Sequence, residues 1–176
     1  MPERVCVFID GSNFYHLCRE NLGGRTDVKF GDFATWLVGP SRSLVRTYYY
    51  NCRIAPDSAP AAKKAQESFL DVLYRTPYLE VRLGKLVRSP SGWTEKGIDM
   101  RIGIDMLMGA VRNLYDVAVL VSGDGDLAEA VRAVKSLGKH VEVASFQRGR
   151  SYELVQEADV YRPLELTSMR PFFTRP

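Results

Sequence analysis

The chain is poor in the residues that staple small proteins or bind soft metals. Among its 176 residues are three cysteines and two histidines. Cys6, Cys18 and Cys52 are odd in number and show no CxxC spacing, which argues against a disulfide framework or a zinc ribbon. They fit a reducing, cytoplasmic compartment. His16 and His140 alone make a zinc site improbable. No segment approaches the roughly 20 apolar residues of a membrane helix. The first apolar run, residues 5–9, stops at Asp10 and is too short for a signal peptide. There is no internal repeat and no low-complexity segment. No GxGxxG or GxxxxGK[ST] phosphate loop is present, which argues against a dinucleotide or P-loop enzyme. A DxDxT motif is also missing, which argues against an aspartyl-phosphate phosphatase. Charge of one sign is scarce too: the net charge is +3. Arg148, Arg150, Arg162, Arg170 and Arg175 are nearly balanced by Glu153, Glu157, Asp159 and Glu165, as on a solvated face.

What is present is an ordinary globular composition, 45% hydrophobic and 26% charged. The length suits one domain and a short tail, residues 167–176, that shows no periodicity. Residues 5–9 and Val117–Val121 are continuous apolar runs rich in β-branched residues, which reads as strands buried on both faces. Ser43–Cys52, residues 79–87 and residues 141–146 read as further strands, with a short extension at Val160-Tyr161. Helices are expected over residues 12–22 with Ser12 as cap, Phe30–Val38, 56–74, 98–112, 127–137 and Tyr152–Glu157. The stretch 98–112 has the strongest pattern, with Ile98, Ile102, Asp105, Met106 and Gly109 on one side. Ser89-Pro90-Ser91-Gly92 reads as a loop. Strands alternating with helices imply an α/β fold with a mainly parallel sheet.

In such sheets ligands bind beyond the carboxyl ends of the strands, where the order reverses. Two apolar strands here end in acid. The first runs into Asp10-Gly11-Ser12-Asn13, and Val117–Val121 runs into Ser122-Gly123-Asp124-Gly125-Asp126. If those strands are neighbours, Asp10, Asp124 and Asp126 converge, joined by Asp99 from the start of the strongest helix. Two carboxylates about 4 Å apart at an effective dielectric of about 20 repel by about 4 kcal/mol. Protonation or a divalent cation relieves this. Oxygen-only ligands favour Mg²⁺ or Mn²⁺ over Zn²⁺.

Each acid also has a plainer reading, Asp10 as a helix cap, Asp124 in a turn and Asp126 as a cap. Asp105 lies about 120° around its helix from Asp99. Either it points into the site from one turn further down, or it is a buried, hydrogen-bonded structural acid. Lys96 is placed to neutralise a phosphate or to sit in an exposed loop. Ser12 and Asn13 are placed to bind a metal-held water or phosphate, or to cap. Tyr48, Tyr49 and Tyr50 read as sheet packing before base stacking. Trp93 reads as a stacking residue or a loop anchor.

Phe8-Ile9-Asp10-Gly11-Ser12-Asn13-Phe14-Tyr15 resembles the opening motif of the NYN domains, the LabA-like branch of the PIN-like nucleases. Lys96-Gly97-Ile98-Asp99, continued to Asp105, resembles their middle motif. Val121-Ser122-Gly123-Asp124-Gly125-Asp126-Leu127 resembles the third, and Gly138-Lys139-His140-Val141 the segment after it. Leu127 stands where Phe is frequent in the family, a change that should affect packing only. The similarity runs from Arg4 to Tyr161, within a domain taken as residues 1–166.

The resemblance implies a PIN-like Rossmannoid fold, three-layer α/β/α with a mainly parallel central sheet. It implies a metal-dependent endoribonuclease acting on single-stranded RNA with Mg²⁺ or Mn²⁺. Asp10, Asp99, Asp124 and Asp126 would form the catalytic metal site, with Ser12, Asn13, Ser122 and Lys96 in support and Asp105 open as a further ligand. No membrane partner is expected, and PIN-like nucleases frequently form homodimers. The competing readings are a binding or regulatory module that keeps the pocket, and another metal phosphohydrolase.

Overall fold

The structure is a computed structural model that describes residues 1–90 and 92–175. Ser91, inside the expected loop, and Pro176, at the end of the expected tail, lie outside the described residues. The strands are β1 (Arg4–Asp10), β2 (Ser43–Cys52), β3 (Leu79–Ser89), β4 (Gly92–Lys96), β5 (Val117–Val121), β6 (His140–Phe146) and β7 (Val160–Leu164). They form one sheet in the order β4-β3-β2-β1-β5-β6-β7. All pairings are parallel except the antiparallel β3–β4 pair. From β1 the chain steps outward through β2 and β3. It then crosses back to β5 on the other side of β1 and steps outward again. The order therefore reverses between β1 and β5, and this opens a crevice beyond their carboxyl ends.

The helices are α1 (Gly11–Asn21), α2 (Phe30–Val38), α3 (Pro60–Tyr74), α4 (Ile98–Val111), α5 (Ala128–Ser136), α6 (Tyr152–Glu157) and α7 (Leu166–Met169). Two apolar cores flank the sheet. Phe14, Leu17, Phe33, Leu37, Leu70 and Leu73 from α1 to α3 fill one. Ile98, Ile102, Met106, Val131, Val134 and Leu154 from α4 to α6 fill the other. This is the three-layer α/β/α architecture, and every residue of β5 is buried because both faces are covered. Tyr50 is fully buried and Tyr49 nearly so, on opposite faces, so both are packing residues. All three cysteines are buried free thiols. Among the described residues no helix is long and apolar enough to cross a membrane.

Several expectations shift in detail. Asp10, not Ser12, caps the first helix, which begins at Gly11. Helix α3 starts at Pro60 rather than residue 56, with proline in the first turn where its missing N–H costs nothing. The turn after β5 contains a short 3-10 segment, Gly125–Leu127, before α5 begins. The loop expected after β3 is shorter, because β3 runs two residues further, to Ser89, and pairs antiparallel with β4, which begins at Gly92. The Val160-Tyr161 extension is a full strand of five residues at the sheet edge.

The segment without periodicity folds back onto the α1–α3 layer. It forms the end of α7 and a 3-10 turn, Arg170–Phe172. Met169, Phe172 and Phe173 are buried there, and the Phe172 ring lies 5.6 Å from that of Phe33.

Candidate metal centre

Residues Ile9 and Val121 are register partners in β1 and β5, so the next residues, Asp10 and Ser122, leave the sheet side by side. The two turns are then laced together. Asp10 Oδ1 accepts the Asn13 N–H at 3.1 Å, which caps α1. Asp10 Oδ2 accepts the Ser122 hydroxyl at 3.1 Å. Ser122 Oγ in turn accepts the Asp124 N–H at 3.1 Å. Asn13 Oδ1 accepts the Gly123 N–H at 2.9 Å, closing the loop between the turns.

Two glycines make this approach possible. A Cβ at Gly11 would stand 2.4 Å from the Tyr49 ring and 2.6 Å from the Tyr50 carbonyl oxygen. A Cβ at Gly123 would stand 2.6 Å from the Gly149 carbonyl oxygen. The Asp10-Gly11 and Ser122-Gly123 pairs thus serve backbone packing as well as turning.

Three acids meet at this edge. Asp99, Asp124 and Asp126 each offer a carboxylate oxygen, and these oxygens all lie within 4.8 Å of one another. Asp99 comes from the first turn of α4, which Gly97 starts in the left-handed region at φ 78°. Asp124 caps the following 3-10 segment by accepting the Asp126 N–H at 3.0 Å, and among the described residues its second oxygen accepts no hydrogen bond. Among the described residues none of the three forms an ion pair. Their mutual repulsion is on the order of 1 to 4 kcal/mol per pair, depending on how much water screens it.

The charge shows in the titration of the neighbouring groups. Burial pushes the Asp10 carboxyl up to about 6; the bonds from Asn13 and Ser122 oppose this, and the charges of Asp99 and Asp124 add to it. Burial also raises Asp99, with Asp124 and Asp126 contributing.

Of the residues expected at the site, Asp99, Asp124 and Asp126 form the trio. Asp10 stands behind it with both oxygens engaged. Asn13 and Ser122 are the links that hold the two turns. Ser12 makes no side-chain hydrogen bond among the described residues. Lys96 is exposed at the end of β4, three residues before Asp99, and among the described residues pairs with no acid. Asp105 is not part of the trio: its carboxylate accepts the Tyr50 hydroxyl at 3.0 Å, the arrangement of a structural acid. The hairpin beyond Gly84 escaped sequence reasoning. Its signal was Ser-Pro-Ser-Gly between two strand-compatible runs, the mark of a hairpin turn as much as of a loop.

The NYN domain family model matches residues 4–165. The chain belongs to the NYN domain family, within the PIN-like nuclease superfamily. It is similar to the low amplitude and bright protein LabA of Synechococcus elongatus, at 28% identity over 99% of this chain and 89% of that one. A crystal structure of a protein of unknown function from Vibrio parahaemolyticus shares the fold, with a TM-score of 0.70. It is 24% identical, and the match covers 93% of this chain and 94% of that one.

Proposed function

We propose that this protein is a divalent-metal-dependent endoribonuclease that hydrolyses phosphodiester bonds of single-stranded RNA at the Asp99, Asp124 and Asp126 centre. The observation that carries the reading is the trio itself, three carboxylates converging at the strand-order reversal with no ion pair among the described residues. Family membership supports the nuclease class. The donor set fits a hard cation: every candidate ligand is a carboxylate oxygen, with neither histidine nor cysteine in the group. Mg²⁺ and Mn²⁺ are the ions this chemistry favours.

A cation held there would lower the pKa of a bound water and stabilise charge developing on the phosphoryl oxygens. The chain's own part is to position. Asp99, Asp124 and Asp126 would supply the ligands. Asp10 holds Ser122 and the start of α1, and Asn13 holds the Gly123 amide, so the Asp124 turn is fixed against α1. An oxygen of the trio not engaged by the cation would take the proton of an attacking water.

The test is cleavage of a labelled single-stranded RNA with Mn²⁺, with Mg²⁺ and with EDTA, comparing wild type with Asp124→Asn. Cuts that need metal and fall by more than about 100-fold in the variant are expected. Tight metal binding without cleavage by wild type would overturn the nuclease reading in favour of a non-cleaving RNA-binding module.

A further inference from the structure

We infer that the outer β3–β4 hairpin is a strand-holding arm, in which Lys85 and Lys96 together grip a backbone phosphate of the RNA beside the carboxylate trio. The inference rests on the nuclease reading for the identity of the ligand, and on the hairpin's own geometry for the grip.

Pairing between β2 and β3 ends at Cys52 and Gly84. Beyond that point β3 continues for five residues, Lys85 to Ser89, paired with β4 alone. Because β3 runs parallel to β1 and β2, this extension projects past the carboxyl edge of the sheet, by about 16 Å at about 3.3 Å per residue. The chain returns along β4 and enters α4, whose second residue is Asp99. The arm therefore rises from the same edge of the sheet as the candidate metal centre and is joined to it through the start of α4.

Its two faces differ. Leu86 packs against the core on the α4 side and fixes the arm there. Lys85, Val87, Thr94 and Lys96 occupy the other face, and all four are exposed. Lys85 and Lys96 are direct cross-strand partners, so their side chains leave the ladder next to each other. Opposed like charges destabilise a strand pair. Here nothing offsets them: among the described residues neither lysine forms an ion pair or a side-chain hydrogen bond. A sequence that sets two unpaired cations opposite each other breaks a local rule, and such breaks are expected at functional sites.

The compensating group is an anion. On the nuclease reading that group is a phosphodiester strand, whose scissile phosphate would lie on the cation that Asp99, Asp124 and Asp126 would hold while a neighbouring phosphate meets the lysines on the arm. Lysine suits this task, since it binds phosphate as a flexible point charge with three donors.

The experiment measures binding of a short fluorescent poly(U) strand by anisotropy in EDTA, across a salt series, so that no cleavage intervenes. Lys85→Gln is expected to bind roughly tenfold more weakly. The slope of log affinity against log salt should become shallower by about 0.7, the value for one phosphate contact on a single strand. Lys85→Arg should retain binding, and Lys85→Gln should unfold at a temperature no lower than wild type.

Unchanged affinity and slope in Lys85→Gln overturn the arm, and Mn²⁺-dependent cleavage by wild type in parallel would leave the nuclease reading standing. Lys85-dependent binding by a wild type that cuts no RNA supports the arm and overturns the nuclease reading. Capture of a poly-glutamate peptide as tightly as poly(U), lost in Lys85→Gln, overturns the assignment of RNA as the ligand.

Discussion

Asp10 is the most costly residue of the site. Its carboxylate is 3% exposed, and burial raises its pKa to about 6 from an ordinary 3.8. Between those values the native state holds a proton that the unfolded chain has released. Stability therefore falls as pH rises through this window and stays level above it. The full effect is about 3 kcal/mol, at 1.36 kcal/mol per pKa unit. Asp10→Asn removes it and keeps both contacts with one reversed: Asn Oδ1 accepts the Asn13 N–H, and Asn Nδ2 donates to Ser122 Oγ, whose hydroxyl proton turns to another acceptor. In EDTA the variant should match wild type in urea unfolding at about pH 4 and exceed it above about pH 7. A variant that is less stable at the higher pH would show that the carboxylate charge is compensated by a group other than a metal.

The C-terminal elements matter to stability more than their length suggests. Met169 is fully buried, and Phe172 and Phe173 are nearly so. Asp27 ties the last residues down by accepting the Thr174 hydroxyl at 2.9 Å and the Arg175 N–H at 3.1 Å. Met169→Ala should therefore cost about 2–5 kcal/mol, the range for emptying a packed core position. Chemical denaturation measures this, and a loss below about 0.5 kcal/mol, ordinary for a surface site, would mean that the segment is only loosely docked. None of this was legible in the sequence, because four helical residues and a 3-10 turn are too short to display a period. The five residues of β4 were missed for a related reason. Four of them are exposed, so the run lacks the alternation that reveals a half-buried strand. Strands β1 and β5 were legible because burial on both faces leaves an unbroken apolar run. The acids at their ends were legible because topology puts ligands at carboxyl ends. The start of α1 was ambiguous, since Asp10 and Ser12 are both good caps and only the Asp10–Asn13 bond decides between them.

At the scale of the molecule, the sheet brings residues 10, 99, 124 and 126 to one edge. They arrive from three places, the start of α1, the start of α4 and the turn after β5, so the site exists only in the folded chain. A cation that binds there binds the native state alone, and linkage then stabilises the whole protein by about 2.7 kcal/mol at a free concentration 100 times the Kd. Mn²⁺ should accordingly raise the unfolding temperature of wild type, and that of Asp124→Asn by about half as much or less, in a thermal scan. The most direct test of the account is a calorimetric titration of Mn²⁺ into the two proteins. The account predicts a saturable site in wild type and an affinity at least about tenfold weaker in Asp124→Asn. Identical isotherms for the two, or no binding by wild type, would contradict it.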